Sequence, residues 1–268
     1  MRLSIEAVLD YGFPAPADVL LQIEVAAQGD QLLEAQSLTI ESDHPIRAVA
    51  GEEGIGQRCW ARAEHRLVAR YAATVSIDRP LVRIDDLPAT PAARLPAAAI
   101  QYLFPSRYCE SDRFENFVRR TFAGLSGGAL AVALVDWVRT NVEYAPAPPG
   151  GGALHTFAER RGVCRDYAHL LVALARAAEI PARCVSVYAP GVDPPDFHAV
   201  AELWLDGAWH LLDATGMARA DEMARVGVGR DATDIAFMTI FGTADLWEQR
   251  VRVLRLDQER APPSGVVM

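Results

Sequence analysis

Apolar and polar residues alternate through the first third of the chain, in short runs broken by turn-forming residues. The runs "LSIEAVLDY", "DVLLQIEVAA", "EAQSLTIES", "IRAVAG" and "RCWARAEHRLVARYAATVSID" are punctuated by Gly29-Asp30 and Gly54-Ile55-Gly56. Ile23 and Val25, then Val68, Tyr71, Val75 and Ile77, mark strand positions. Period-two patterning in many short runs predicts an antiparallel β sandwich, which we assign to residues 1–90. The Pro-rich stretch "RPLVRIDDLPATPAARLPAAAI" changes the texture and reads as a linker near residue 90 into a second domain, residues 91–268.

Helical spacing takes over beyond the linker. "SDRFENFVRRTFAGL" opens with a Ser-Asp cap, and "GGALAVALVDWVRTNVEY" carries apolar residues three and four apart. The run "APAPPGGGA" reads as a loop and lacks the Lys-Ser/Thr ending of a phosphate-binding loop. "HTFAERRG" is a short helix stopped by Gly162, and "VCRDYAHLLVALARAAEIP" follows. From Cys164 to Glu179 there is no Gly or Pro and one β-branched residue, Val172, which predicts a helix; apolar residues around most of its circumference place it inside the domain. Cys164 lies in the first turn, where unpaired N–H groups and the positive end of the helix dipole stabilise a thiolate and can bind an oxyanion. Position alone leaves two readings, a small buried hydrophobe and a nucleophile, and a base nearby would decide between them.

The stretch "DFHAVAELWLDGAWHLLDATG" supplies that base. Asp206-Gly207 is a favoured hairpin turn between two strand-like runs. A two-residue loop, or a symmetric four-residue one, pairs Trp204 with Trp209, Glu202 with Leu211 and Val200 with Asp213. Asp213 then shares a sheet face with His198 as a diagonal neighbour, with Cβ atoms roughly 7–8 Å apart. Asp213 would orient the imidazole and leave its other nitrogen to a third group, for which a thiol is the natural candidate. A three-residue loop would slip the register and put Asp213 on the far face. The remaining polar residues have plainer readings. Asp166 stabilises the helix start; His169 is solvated or a core partner, with a Cys-x4-His metal pair as the alternative; His155, His210 and Cys184 are structural; Trp204 and Trp209 pack across the turn, with a wall of the substrate cleft as the alternative; Glu202 shares the His198 face without a role.

Composition narrows the partners. The chain has 268 residues, 51% hydrophobic and 23% charged, with a net charge of −9, so it is an ordinary folded protein that repels a phosphate backbone or an anionic membrane surface. We expect no nucleic-acid and no membrane partner. All 26 basic residues are Arg, so no mechanism can use a lysine of this chain as nucleophile, Schiff base or amine donor. Cys59, Cys109, Cys164 and Cys184 form no CxxC pairs, and neither a signal-type apolar run at the N-terminus nor a stretch of membrane-spanning length is present; we expect a reducing compartment, the cytoplasm, and no zinc knuckle.

The segments "RGVCRDYAHL" and "DFHAVAELWLDGAWHLLDAT", with their spacing, resemble the transglutaminase-like superfamily, specifically its bacterial cysteine protease branch, over about residues 101–216. "YLFPSRYCESD" and "GRDATDIA" are also similar to this branch, and the β-rich N-terminal part resembles the domain that accompanies it. The resemblance implies an α+β protein: an N-terminal antiparallel β sandwich followed by a papain-like, transglutaminase-like core in which the Cys helix packs on an antiparallel sheet. It implies Cys164 as nucleophile, His198 as general base and acid, and Asp213 as orienting carboxylate. Nothing matches the calcium sites of animal transglutaminases, so no metal and no cofactor are expected. The implied activity is cysteine-dependent acyl hydrolysis or transfer on peptide or protein amides through a thioester at Cys164. A catalytically silent peptide-binding module and a thioester-dependent N-acyltransferase are the alternatives.

Overall fold

The period-two runs fold as strands with their apolar faces turned toward one another. In this computed structural model, which describes residues 1–42, 44–146 and 151–256, six strands precede the Pro-rich stretch. They are β1 (Arg2–Gly12), β2 (Ala17–Leu21), β3 (Gln31–Glu41), β4 (Arg47–Ala50), β5 (Gln57–Ala63) and β6 (Arg66–Ile77). Leu3, Ile5, Ala7 and Leu9 of β1 and Leu67, Ala69, Tyr71, Ala73, Val75 and Ile77 of β6 form one inner face, packed on Val19, Leu21, Cys59 and Ala61 of the other sheet. Val68, buried as well, lies on the opposite face of β6 from Tyr71.

Residues 1–90 do not complete this sandwich, which corrects the expected division at residue 90. Two strands from the far end of the chain, β13 (Met238–Phe241) and β14 (Asp245–Arg255), finish the sheets, whose orders are β14-β1-β6-β3 and β13-β2-β5-β4, antiparallel throughout. The cause is the alternation in "RVRVLR", which puts Val251 and Val253 on the core side of β14 and gives β1 a second hydrogen-bonded neighbour. Residues 91–268 are therefore not one continuous catalytic unit; 257–268, at their end, lie outside the described residues.

The second half is built around the Cys164 segment. Its helices are α1 (Ala97–Ile100), α2 (Glu115–Thr121), α3 (Gly127–Asn141), α4 (Ala153–Glu159), α5 (Cys164–Ala177) and α6 (Ala232–Ile235). Two short strands, β7 (Glu143–Tyr144) and β8 (Arg161–Gly162), pair in parallel. β9 (Ala182–Tyr188), β10 (His198–Leu205), β11 (Ala208–Leu212) and β12 (Ala224–Gly229) form an antiparallel sheet in the order β11-β10-β9-β12. Leu170 through Ala175 of α5 are wholly buried against this sheet and α3, as the apolar circumference predicts. Of the run "APAPPGGGA", residues 147–150 lie outside the described residues. No helix among the described residues is long and apolar enough to cross a membrane.

The Pro-rich stretch is a strap as well as a connection. Leu87 O accepts from Gly128 N at 2.8 Å, where a side chain at Gly128 would collide with the Ile84 carbonyl, so two glycines let α3 start against the strap. Pro88 O and Thr90 Oγ1 accept from Asp206 N and Gly207 N, clamping the β10–β11 turn. Arg79 bridges Asp30 to the carbonyls of Ala220 and Met223.

A buried charge cluster joins the halves. Glu202, wholly buried, receives Arg183 at 2.8 Å and Arg225 at 2.5 Å, and these continue to Glu53 and Asp30 of the sandwich. Removing one member of such a network strands the others in a low-dielectric interior. Glu202→Ala should therefore lower the unfolding free energy by about 3 kcal/mol, whereas truncating the exposed Arg83, paired with Asp85, should cost about 1 kcal/mol or less. Urea denaturation midpoints of the two variants check this, and equal shifts would contradict it.

Candidate active site

Three local features converge on Cys164. Val163 N–H donates to Asp166 Oδ2 at 3.0 Å, so Asp166 closes the first turn of α5, the role its position predicts. Cys164 is the first residue of that helix, half-buried and unbridged, with Sγ 3.9 Å from Phe197 O. His198 opens β10 directly after Phe197. The helix thus delivers the thiol to the end of the strand that carries the imidazole.

The carboxylate arrives by register. β10 and β11 pair Leu205 with Ala208, Trp204 with Trp209 and Glu202 with Leu211, the alignment expected for a two-residue turn. Asp206 and Gly207 occupy the left-handed region at φ 48° and 77°, which a type I′ turn demands. Asp213, one residue beyond β11, places Oδ2 3.0 Å from His198 Nε2. Its carboxylate also accepts from Thr215 N at 2.8 Å, Thr215 Oγ1 at 2.7 Å and Ala218 N at 2.9 Å. Burial works to raise the Asp213 pKa, but His198 and these donors outweigh it and hold the group below its ordinary value, so the side chain is anionic at neutral pH.

His198 is buried, and its Nδ1 has no hydrogen-bond partner among the described residues. Desolvation pulls its pKa down; the hydrogen bond it donates to Asp213 and the interaction with the Cys164 sulfur push it up to about 9, and the raising effects win. Because Nε2 is committed to Asp213, Nδ1 is the nitrogen left for the thiol. The three residues singled out from the sequence are therefore brought together.

Tyr144 is a member that sequence reasoning missed. The β7–β8 pairing sets Tyr144 opposite Gly162, two residues before Cys164, and Ala145 N donates to Gly162 O at 3.0 Å. Burial and the neighbouring Cys164 sulfur push the phenol up to about 12, while the Cys164 backbone N–H, donating to the phenol oxygen, acts in the opposite direction. A hydroxyl thus sits beside both the sulfur and the amide of the candidate nucleophile. No local signal in "TNVEYAP" marks this tyrosine, because its position depends on a ladder to a segment seventeen residues on.

Other polar residues fall into packing roles. Glu202 does share the His198 face, but it ends in the arginine cluster rather than the cleft. Trp204 and Trp209 stand edge to face at 5.2 Å, and Trp209 covers the Arg183 guanidinium. His169 is buried under the stacked ring of Tyr108, and burial lowers its pKa to about 4, so it is neutral. Cys109, His169 and Cys184 bring one potential metal-ligating atom each within 4.8 Å of one another. His169 Nε2 accepts from Ala232 N at 3.0 Å, which leaves the single imidazole proton on Nδ1 and no unused nitrogen lone pair. As arranged, the trio fits a polar packing knot better than a metal centre.

A family model described as the transglutaminase-like superfamily matches residues 117–214, the segment from α2 to just past Asp213. An uncharacterized protein of Mycobacterium leprae (strain TN) is 34% identical over 115 residues, covering 39% of this chain and 41% of that protein; the chain thus spans less than half of that relative's length. A solved structure from Cytophaga hutchinsonii, described as a "Putative Cysteine Protease", is 30% identical, covers 98% of this chain and 93% of that one, and superimposes with a TM-score of 0.89. With the family match over residues 117–214 and a likeness at 30% identity that spans nearly the whole of both chains, the chain belongs to the transglutaminase-like superfamily.

Proposed function

We propose that the protein is a cysteine acyl hydrolase or transferase acting on peptide or protein amides, with Cys164 as nucleophile, His198 as general base and acid and Asp213 as the orienting carboxylate. The observation that carries this reading is the buried His198–Asp213 contact of 3.0 Å, with the opposite ring nitrogen unpartnered beside a thiol at a helix start. The description of the Cytophaga hutchinsonii relative as a cysteine protease supports it.

The chemistry follows from the positions. The Cys164 thiolate attacks the amide carbon, and the electron pair moves onto oxygen, toward which the Tyr144 hydroxyl, itself held by the Cys164 N–H, can donate. The imidazolium of His198 gives its proton to the leaving amine as the C–N bond breaks, leaving a thioester and a neutral ring. The ring then takes a proton from water as its oxygen attacks the thioester; the C–S bond breaks and the carboxylic acid departs. An amine in place of water gives transamidation by the same steps. We favour hydrolysis, because the similar Cytophaga hutchinsonii structure is described as a protease. Cys59, Cys109, Cys164 and Cys184 are all free thiols, which supports a reducing compartment, the cytoplasm.

Iodoacetamide at near-neutral pH, with the label located by mass spectrometry, should modify Cys164 selectively, and Cys164→Ala should abolish cleavage in a peptide and isopeptide screen. His198→Ala should cost about 10³-fold or more in kcat/KM. Slow labelling spread over all four cysteines would favour the silent binding module, and turnover of thioesters with amine acceptors but not of amides would favour the N-acyltransferase.

The elevated His198 pKa has a pH signature. With a folded value of about 9 against an ordinary 6.5, the ring contributes stability that is fully present below pH 6.5 and is lost as pH rises through about 9. Imidazole NMR should show His198 titrating near pH 9, with activity falling over the same range. Asp213→Asn should move that titration downward; a ring that titrates near 6.5 in the wild type would contradict the arrangement.

A further inference from the structure

We infer that the pocket beside the start of α5 is a subsite for a carboxylate carried by the substrate; this rests on the proposed role of Cys164. The pocket has a volume of about 300 Å³ and is lined by Arg107, Tyr108, Arg165, Thr233, Ala236 and Thr239, among others. Two of its lining residues connect it to the neighbourhood of the candidate nucleophile. Arg165 follows Cys164 in the chain, and Ala236 precedes Phe237, whose ring stacks at 4.3 Å on Phe197, the residue whose carbonyl lies 3.9 Å from Sγ.

The charges at its surface are cationic. Arg107 is exposed and lies over the Tyr108 ring at 5.1 Å, without a hydrogen-bond or ion-pair partner among the described residues. Arg165 is 44% exposed, and two of its guanidinium nitrogens donate to Asp166 Oδ1, at 3.3 and 3.2 Å. The nearby acids are already engaged, Asp166 partly with Arg165 itself. Asp166 caps α5 through Val163 N, and buried Asp231 accepts from the amides of Tyr108 and Thr233. Two solvent-facing guanidiniums, one unpaired, at the wall of a pocket on a chain of net charge −9 form a local site for a planar anion, and guanidinium–carboxylate pairing is its natural use. The anion would be an acidic side chain next to the scissile amide or the free α-carboxylate of a short peptide.

Three alkylating probes distinguish these sources: N-iodoacetyl-glutamate α-amide carries a side-chain carboxylate, N-iodoacetyl-glutamine an α-carboxylate, and N-iodoacetyl-glutamine α-amide neither. Second-order rate constants for Cys164 alkylation should favour at least one anionic probe over the neutral one by about tenfold. Because the His198 imidazolium alone attracts anions, the decisive reading is the change in that ratio. Arg107→Gln should reduce it severalfold, Arg107→Gln with Arg165→Gln should bring it near unity, and Arg107→Lys should retain part of it. An unchanged ratio in the double variant, with Cys164 still alkylated selectively, would overturn the subsite alone. Failure of every probe to select Cys164 over the other cysteines would overturn the nucleophile and the subsite together.

Discussion

A two-residue turn decides which side of β11 faces the Cys164 helix. Side chains on a strand alternate, so one residue more or less between Leu205 and Ala208 would send Asp213 to the opposite face and leave His198 without a carboxylate. Asp206 and Gly207 hold that count by adopting left-handed backbone, and the Pro-rich strap secures it from outside by accepting both of their amide protons. Everything proposed about proton transfer depends on this local choice, because no other carboxylate is bonded to the imidazole among the described residues.

The electrostatics of the site then follow from burial set against satisfied bonding. Desolvation alone would neutralise both partners of a buried His–Asp pair, lowering one pKa and raising the other. Asp213 escapes because Thr215 and Ala218 add three hydrogen bonds to the one it shares with His198. A carboxylate so held stabilises the imidazolium form of His198, whose ring interacts with the Cys164 sulfur. Satisfied bonding recurs farther along β10, where the buried Glu202 carboxylate is bonded to two arginines.

The parts legible from the sequence were those fixed by near neighbours. The α5 helix, the capping role of Asp166 and the hairpin register each depend on residues within about one helical turn or one tight loop, where propensity and turn chemistry dominate. Tyr144, Arg107 and the ends of the sandwich were not legible for the opposite reason. Tyr144 is placed by a two-residue parallel ladder and Arg107 by a loop folded back onto α5, and β14 pairs with β1 across more than two hundred residues. "RVRVLR" alternates as a strand should, yet alternation names a face and not a partner. Glu202 makes the same point from within a strand: its face was readable, but the Arg183 directly opposite on β9 decides what meets it.

The return of β13 and β14 to the sandwich makes the N-terminal half part of the site's support. Gln249 of β14 donates to Asp196 Oδ1 at 2.6 Å, and Asp196 in turn accepts from Phe197 N, fixing the residues that lead into His198. Phe237, just before β13, stacks on Phe197, and Tyr188 at the end of β9 donates to Ile23 O of the sandwich at 2.8 Å. The segment between β9 and β10 is thus held at both ends by residues of the β-rich half, and this segment carries the carbonyl nearest Cys164 Sγ. A sandwich that merely accompanied the Cys164 half would leave that segment free to move; one threaded by the last two strands instead couples the position of His198 to the integrity of both sheets.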